Sequence, residues 1–187
     1  TKDNINQFIE PNFQLTMDCS DSGITGISYI PKNIERLYCN NNQLTSLPKL
    51  PDSLTHLYCY ENQLTELPKL PDGLKYLYCY KNELIKLPKL PESLTNLYCN
   101  NNQLTGISYI PNNLFNLYCY DNQLTSLPIL PEHLIGLYCH NNNLPYKITE
   151  ENIKEHNKLI KRKQILNKLN KSISLIYFLI NGMVVQI

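Results

Sequence analysis

The sequence lacks the short motifs that common catalytic sites need. It has only six glycines among 187 residues, and none of them belongs to a phosphate-binding loop. A nucleophile elbow and a pair of catalytic carboxylates are also missing. The four histidines, which show no metal-ligand spacing, are His56, His133, His140 and His156. We therefore predict that the protein is not an enzyme and uses no metal ion, cofactor or small-molecule substrate.

Long apolar runs are absent as well. A helix needs about 20 apolar residues to span a bilayer, and the most apolar segment, residues 174–187, is shorter than that. The first residues, Thr-Lys-Asp-Asn-Ile-Asn, do not resemble a signal peptide. We therefore expect a protein that does not span a membrane and that works in the cytoplasm.

The sequence is dominated by a 20-residue repeat. Three residue types keep the same spacing without a slip, which a chance pattern would not do over so many units. The cysteines are Cys19, Cys39, Cys59, Cys79, Cys99, Cys119 and Cys139. The prolines are Pro31, Pro51, Pro71, Pro91, Pro111 and Pro131, and the asparagines are Asn42, Asn62, Asn82, Asn102, Asn122 and Asn142.

One unit, Leu54 to Pro71, reads Leu-x-x-Leu-Tyr-Cys-x-x-Asn-x-Leu-Thr-x-Leu-Pro-x-Leu-Pro. It resembles the leucine-rich repeat, with cysteine in the third apolar position. Strand alternation in Leu57–Tyr60 would turn Leu57 and Cys59 inward and the tyrosines outward. The two prolines of the return half exclude a helix there. The resemblance implies a leucine-rich-repeat solenoid, a horseshoe with short parallel β-strands on its concave face and an extended, polyproline-II-like convex face.

The asparagine column has a structural interpretation. An inward side-chain amide at the end of each strand can bond the backbone of the turn, and stacked asparagines can also bond one another as a ladder. We predict that this column supports the scaffold rather than a ligand.

The cysteine column predicts buried free thiols. Neighbouring cysteines on parallel strands point the same way, which keeps their β-carbons farther apart than a disulfide prefers. A straight column of thiols also does not converge on a metal ion. Free cysteine in a core behaves as a small apolar residue. This indicates a reducing compartment.

Three regions follow from the pattern. Residues 1–10 are predicted to be an N-terminal cap segment, with a short helix over Asp3–Glu10. Residues 11–148 form the repeat array of about seven units, the first of them degenerate because Gln14, Met17 and Asp18 replace the usual residues. Residues 149–187 are a C-terminal cap or tail. Solenoids need such caps because their end repeats have no neighbour.

The tail begins with Thr149, a capping residue followed by two glutamates. A helix is predicted up to about Asn170, and we expect its apolar face to cover the last repeat. This apolar face consists of Ile153, Leu159, Ile160, Leu166, Leu169 and Ile173. The segment 174–187 would be a second capping element. Contact with a membrane surface or a partner stays open as an alternative.

The outward strand positions form three columns on the concave face. The central column is Tyr38, Tyr58, Tyr78, Tyr98, Tyr118 and Tyr138. One flank contains Tyr60, Tyr80, Tyr120 and His140, together with Asn40 and Asn100. The other contains Arg36, His56 and Tyr76, followed by Asn96, Asn116 and Gly136. Stacked tyrosines can stabilise a sheet, yet they also suit a protein-binding surface. Specificity is expected in the variable flanks.

Two protein groups resemble this sequence. The run Leu67 to Leu77, Leu-Pro-x-Leu-Pro-x-x-Leu-x-x-Leu, resembles the repeats of secreted bacterial effectors that bind host proteins. Some of these carry a C-terminal ubiquitin-ligase domain, but no cysteine follows Cys139 here. The Leu-Tyr-Cys-x-x-Asn-x-Leu-Thr variant is similar to repeat proteins of giant DNA viruses of amoebae. Both resemblances imply a protein of solenoid architecture, and the resemblance to the effectors also implies a host protein as its partner.

The expected partner is therefore a protein held on the tyrosine-rich concave face. The alternative is a nucleic acid or anionic surface bound by the basic tail, where Lys161, Arg162 and Lys163 lie. Up to Ile148 the chain has ten basic and thirteen acidic residues, whereas the rest has seven and three. Because the array is net acidic, it opposes binding of a nucleic acid. Glycan binding on the tyrosines is a third, weaker option.

Overall fold

The computed structural model describes the backbone of residues 15–184 and the side chains of residues 15–174. Seven three-residue strands form one parallel sheet in chain order. They are β1 (Thr16–Asp18), β2 (Arg36–Tyr38), β3 (His56–Tyr58), β4 (Tyr76–Tyr78), β5 (Asn96–Tyr98), β6 (Asn116–Tyr118) and β7 (Gly136–Tyr138). Each residue pairs with the one 20 positions later, as Tyr58 does with Tyr78. The array is thus a solenoid with parallel strands on one face.

The strands begin one residue earlier than predicted. The sequence suggested Leu57–Tyr60, whereas β3 covers His56–Tyr58. Cys59 still donates its N–H to Tyr78 O at 2.9 Å, so the hydrogen bonding runs beyond the regular strand. Leu57 and Cys59 are fully buried and Tyr58 is half-buried. The predicted inward and outward directions are therefore confirmed.

The return half of each unit contains neither helix nor strand in the described array, as the prolines required. It is not purely extended, however. The carbonyl of the proline that keeps the 20-residue spacing accepts the N–H three residues on, as Pro51 O does from Leu54 at 3.1 Å. This turn brings Leu54 into the core, where it is fully buried. The core is one continuous cluster of leucine, isoleucine and cysteine along the array.

One residue after each strand region adopts a left-handed backbone conformation, although none of these residues is glycine. The φ angles lie between 51° and 54° for Asp21, Asn41, Glu61, Lys81, Asn101, Asp121 and Asn141. This conformation favours glycine or asparagine. The side chains pair along the array, as Lys81 Nζ does with Glu61 Oε1 at 2.7 Å. The sequence analysis did not foresee this column.

The C-terminal region forms one long helix instead of two segments. A 3₁₀ turn at Glu150–Asn152 leads directly into α1, Ile153–Val184. Asn152 Oδ1 accepts the Thr149 N–H at 3.0 Å, which satisfies a free amide at the predicted start. Within the part of the chain described, no helix is long and apolar enough to cross a membrane.

The predicted cap is formed by the first turns of this helix. Ile153, His156 and Asn157 are buried against the last repeat. Residues 161–174 are all exposed. Of the predicted apolar face, Ile153 is buried and Ile160 half-buried, whereas Leu159, Leu166, Leu169 and Ile173 lie in solvent, so the prediction was wrong for these four. His156 and Asn157 add hydrogen bonds to the last repeat.

The open edge of the sheet is also capped. Glu150 Oε1 accepts the Leu137 N–H of β7 at 2.8 Å, so this edge amide has a partner. At the other end Met17 is buried and Asp18 is exposed. Asp18 accepts both the N–H and the hydroxyl of Ser20. The predicted cap segment 1–10, its helix and Gln14 lie outside the described residues, as does the end of the segment 174–187.

Candidate functional site

The asparagine column fixes the backbone that carries the candidate face. Asn62 Nδ2 lies 2.9 Å from Cys39 O and 3.2 Å from both Cys59 O and Tyr60 O, while its Oδ1 accepts the Leu44 N–H. Asn42, Asn82, Asn102, Asn122 and Asn142 repeat this pattern. The prediction of backbone bonding is confirmed. The alternative of asparagines bonded to one another was wrong, because these amides bond carbonyls of their own and the preceding unit.

The central tyrosine column is a continuous stack. Five ring contacts join its six members, with centroids 4.2–4.8 Å apart and planes within 27° of parallel. Such pairs contribute about 0.5–1.5 kcal/mol each beyond area burial. The rings therefore occupy one another's faces and present their edges and hydroxyls outward. Tyr138, at the end of the stack, is 46% exposed.

The flanking columns stack too. Tyr60 lies on Tyr80 at 4.4 Å, and Tyr120 lies on His140 at 4.7 Å. On the other flank His56 stacks on Tyr76 at 4.4 Å. Arg36 begins that flank on β2. The structure therefore brings all thirteen predicted residues onto one face. The sequence suggested stacking in the central column only, whereas the flank rings stack as well.

Two flank positions are closed to a partner. Asn40 and Asn100 are 5% and 4% exposed, and Asn100 donates to Asn101 Oδ1 at 2.8 Å. At Gly136, a β-carbon would lie 2.6 Å from Asn116 Oδ1. The Asn116 side chain lies over Gly136 and would have to move for a larger residue. The aromatic flank positions remain at least partly exposed, as do Arg36, Asn96 and Asn116.

The face is largely uncharged at neutral pH. Burial and the neighbouring phenols raise the pKa of Tyr80 and of Tyr118 to about 12. Burial, with Arg36 nearby, lowers the pKa of His56. The phenols therefore keep their protons and the imidazole of His56 is neutral. This arrangement offers a row of neutral hydroxyl donors and acceptors.

The cysteines lie directly behind this face and are chemically quiet. All seven are free and buried. Burial raises the pKa of Cys79 to about 12, and a thiol without thiolate is a poor nucleophile. Their position supports their predicted role as core residues. Among the described residues, no three metal-ligating side chains lie together.

The sequence analysis missed an apolar patch beside the strands. Phe115 and Ile135 are 42% and 73% exposed, and His133 packs edge-on against Phe115 at 5.2 Å. Earlier units have Thr95 and Lys75 at the same position. Comparison of that position between units could have revealed the patch. It adjoins β6 and β7, at the end of the array nearer α1.

We expect alkaline pH to destabilise the protein. The pKa values of Cys79 and Tyr80 are raised above their ordinary values of 9.0 and 10.0. The unfolded chain then loses protons first, so the stability is complete below pH 9 and falls towards pH 12. Cys79 alone accounts for about 2 kcal/mol at pH 10.5. Urea unfolding at several pH values measures this, and a constant free energy of unfolding up to pH 11 would contradict it.

Comparisons with known proteins agree on the architecture. The family model described as Leucine Rich repeats (2 copies) matches residues 32–72. The structure of a Shigella effector leucine-rich-repeat domain is 30% identical with a TM-score of 0.72, and the match covers 79% of this chain and 69% of that one. None of the curated proteins compared with the chain matches it.

Two further similar structures are longer proteins. YopM from Yersinia enterocolitica is 32% identical with a TM-score of 0.63, over 72% of this chain and 35% of that one. YopM from Yersinia pestis, a leucine-rich effector protein, is 26% identical with a TM-score of 0.61, over 70% and 50%. The chain thus spans a third to a half of these two proteins. The repeat, the parallel sheet and these similarities together show that the chain belongs to the leucine-rich-repeat family.

Proposed function

We propose that the protein binds another protein on its tyrosine face. This face consists of the central column, Tyr38, Tyr58, Tyr78, Tyr98, Tyr118 and Tyr138, and of seven flank residues, Arg36, His56, Tyr60, Tyr76, Tyr80, Tyr120 and His140. The leucine-rich-repeat fold generally serves as a protein-interaction module. The observation that carries the proposal is the stacking itself. Rings that cover one another's faces leave a row of hydroxyl-bearing edges about one strand spacing apart. Such a surface suits the polar and aromatic contacts of protein interfaces.

The same geometry argues against the other ligands considered. Nucleic-acid bases and sugar rings stack on open aromatic faces, whereas here those faces are occupied by neighbouring rings. The basic residues of the tail, Lys161, Arg162 and Lys163, lie on α1, which leaves the array. The array itself is net acidic. A protein partner with hydrogen-bond acceptors and a basic rim fits the tyrosine face better.

The seven unpaired thiols support a reducing compartment such as the cytoplasm. The similar Shigella and Yersinia pestis proteins are named effectors. We therefore expect a host protein as the partner. Affinity capture with the wild-type chain followed by mass spectrometry identifies candidates. Each candidate is then purified and its affinity measured directly.

The decisive variant is Tyr60→Ser with Tyr80→Ser, which removes one stacked flank pair and leaves the central column in place. We expect its affinity for the purified partner to fall at least about tenfold. The matched control is Tyr29→Ser with Tyr109→Ser, two exposed tyrosines of the return halves. Circular dichroism checks folding. Equal affinities for the flank variant and the control would overturn the proposal.

A further inference from the structure

Helix α1 carries apolar residues on two sides, and the array covers only one of these sides. Ile153, His156 and Asn157 are buried against the last repeat and Ile160 is half-buried. With about 100° per residue, these four positions fall within an arc of about 100°. This arc is the array-facing side of the helix.

The other side carries an exposed apolar stripe, defined as Leu159, Ile165, Leu166, Leu169 and Ile173. These side chains are between 41% and 62% exposed. They fall within an arc of about 120° whose centre is about 180° from the array-facing side. The stripe therefore points away from its own array, and no other element in the described part of the chain covers it.

The stripe has the spacing of a helix–helix seam. Leu159, Leu166 and Ile173 are seven residues apart, and Leu169 occupies the intermediate position. The sequence continues the same two positions with Ile176, Ile180 and Met183, and the backbone remains helical to Val184. Only Arg162 interrupts the pattern. Seven of eight seam positions are thus apolar over more than three heptads, which is typical of a coiled coil.

The charges determine the direction of pairing. Five basic residues lie in the first part of the helix, between Lys154 and Lys163, and none of residues 172–184 is charged. Parallel helices would place Lys158 of one copy beside Lys163 of the other at the seam edge. Antiparallel helices place the basic half beside the uncharged half. They also hold the two arrays at opposite ends of a seam about 36 Å long.

We infer that α1 pairs with α1 of a second copy of this chain, forming an antiparallel coiled-coil homodimer through the exposed apolar stripe. A two-fold symmetric contact needs one self-complementary surface, and the stripe is such a surface. Each dimer then presents two tyrosine faces joined by a rigid helical pair. This inference is independent of what the tyrosine face binds.

Light scattering on the full chain over a wide concentration range tests the association. We expect a mass of twice the 21.8 kDa chain. Leu166→Glu with Ile173→Glu should give the monomer while the circular-dichroism spectrum of the array persists. Gln164→Glu with Ser174→Glu adds the same charges on the other side of the helix and should stay dimeric. A monomeric wild type, or a dimer that survives the first variant, would overturn the inference.

A spin label on Lys158→Cys measures the orientation, because the native thiols are buried. The antiparallel seam places the two labels about 40 Å apart. A separation under about 20 Å would show parallel pairing and overturn the antiparallel arrangement. Sedimentation with phosphatidylserine–phosphatidylcholine vesicles tests the membrane alternative. A wild type that is monomeric in solution and binds these vesicles through the stripe would replace the dimer.

Discussion

Replacing Asn82 with alanine is expected to lower the free energy of unfolding by about 3 kcal/mol. Asn82 is 8% exposed, and its Nδ2 bonds Cys59 O, Cys79 O and Tyr80 O at 3.0–3.3 Å. Its Oδ1 accepts the Leu64 N–H at 3.0 Å. Alanine leaves the buried Leu64 N–H without this partner, removes one hydrogen bond from each of the three carbonyls and adds a small cavity. Urea unfolding followed by circular dichroism gives the value.

The matched control for this prediction is Asn96→Ala. Asn96 lies on the strand face and accepts one hydrogen bond, from the Thr95 hydroxyl at 2.9 Å. We expect its loss to cost less than about 1 kcal/mol. Asn82→Asp is a second informative variant, because a carboxylate in place of the amide would face carbonyl oxygens and should destabilise at least as much as alanine. Similar losses for Asn82→Ala and Asn96→Ala would show that the buried amides do not hold the array together.

Asn157→Leu should release the start of α1 from the last repeat. Asn157 is 4% exposed; its Nδ2 donates to Leu130 O at 2.7 Å and its Oδ1 accepts the Leu130 N–H at 2.8 Å. Leucine has a similar shape but leaves both backbone groups unpaired, which costs about 2–4 kcal/mol. We expect faster hydrogen exchange in residues 124–148 as well as a lower free energy of unfolding.

An exposed asparagine on the same helix provides the comparison. Asn167→Leu makes the same chemical change in solvent and should leave both the exchange rates and the stability nearly unchanged. If Asn157→Leu also leaves the hydrogen exchange of residues 124–148 unchanged, the cap does not depend on the two hydrogen bonds between Asn157 and Leu130. His156, which bonds Pro128 O and the Tyr146 hydroxyl at 2.8 Å each, would then be the next residue to replace.

The repeat array could be predicted from the sequence because its signal is strong and local. Leu57 and Cys59 repeat at fixed spacing, and alternation alone gives their direction. The exact strand bounds could not be predicted, because they depend on which carbonyl each amide meets across the sheet. The left-handed turn residues were missed although five of the seven are Asn or Asp, which favour this conformation. Glu61 and Lys81 in the same column do not favour it, and they obscured the pattern.

The tail shows where sequence reasoning failed. The split near Asn170 followed a change in composition, but no proline interrupts the helix there, and Ser172 keeps its hydroxyl on Lys168 O at 3.1 Å. The capping face was assigned to apolar residues. The structure adds His156 and Asn157 to Ile153, because the backbone of Pro128 and Leu130 at the end of the last repeat offers carbonyl and amide groups to bond. Those backbone groups cannot be read from side-chain patterns.

The candidate face was located correctly in space, whereas its internal organisation was not. Alternation placed Tyr60 and Tyr80 on the strand side, where the structure has them. The pattern could not show that flank rings stack as closely as central ones. It also could not show that Asn40 and Asn100, in the same column, are buried.

Because the spacing is always 20 residues, the length of the array can change in steps of one whole unit. Cys59 and Cys79 have equivalent surroundings, because each unit repeats the same strand pairing and hydrogen bonds to its neighbours. Deleting residues 60–79 would therefore fuse two compatible interfaces and shorten the tyrosine stack by one ring, about 4.5 Å. Gain or loss of whole units can thus change the length of the tyrosine face without requiring a new kind of contact between units.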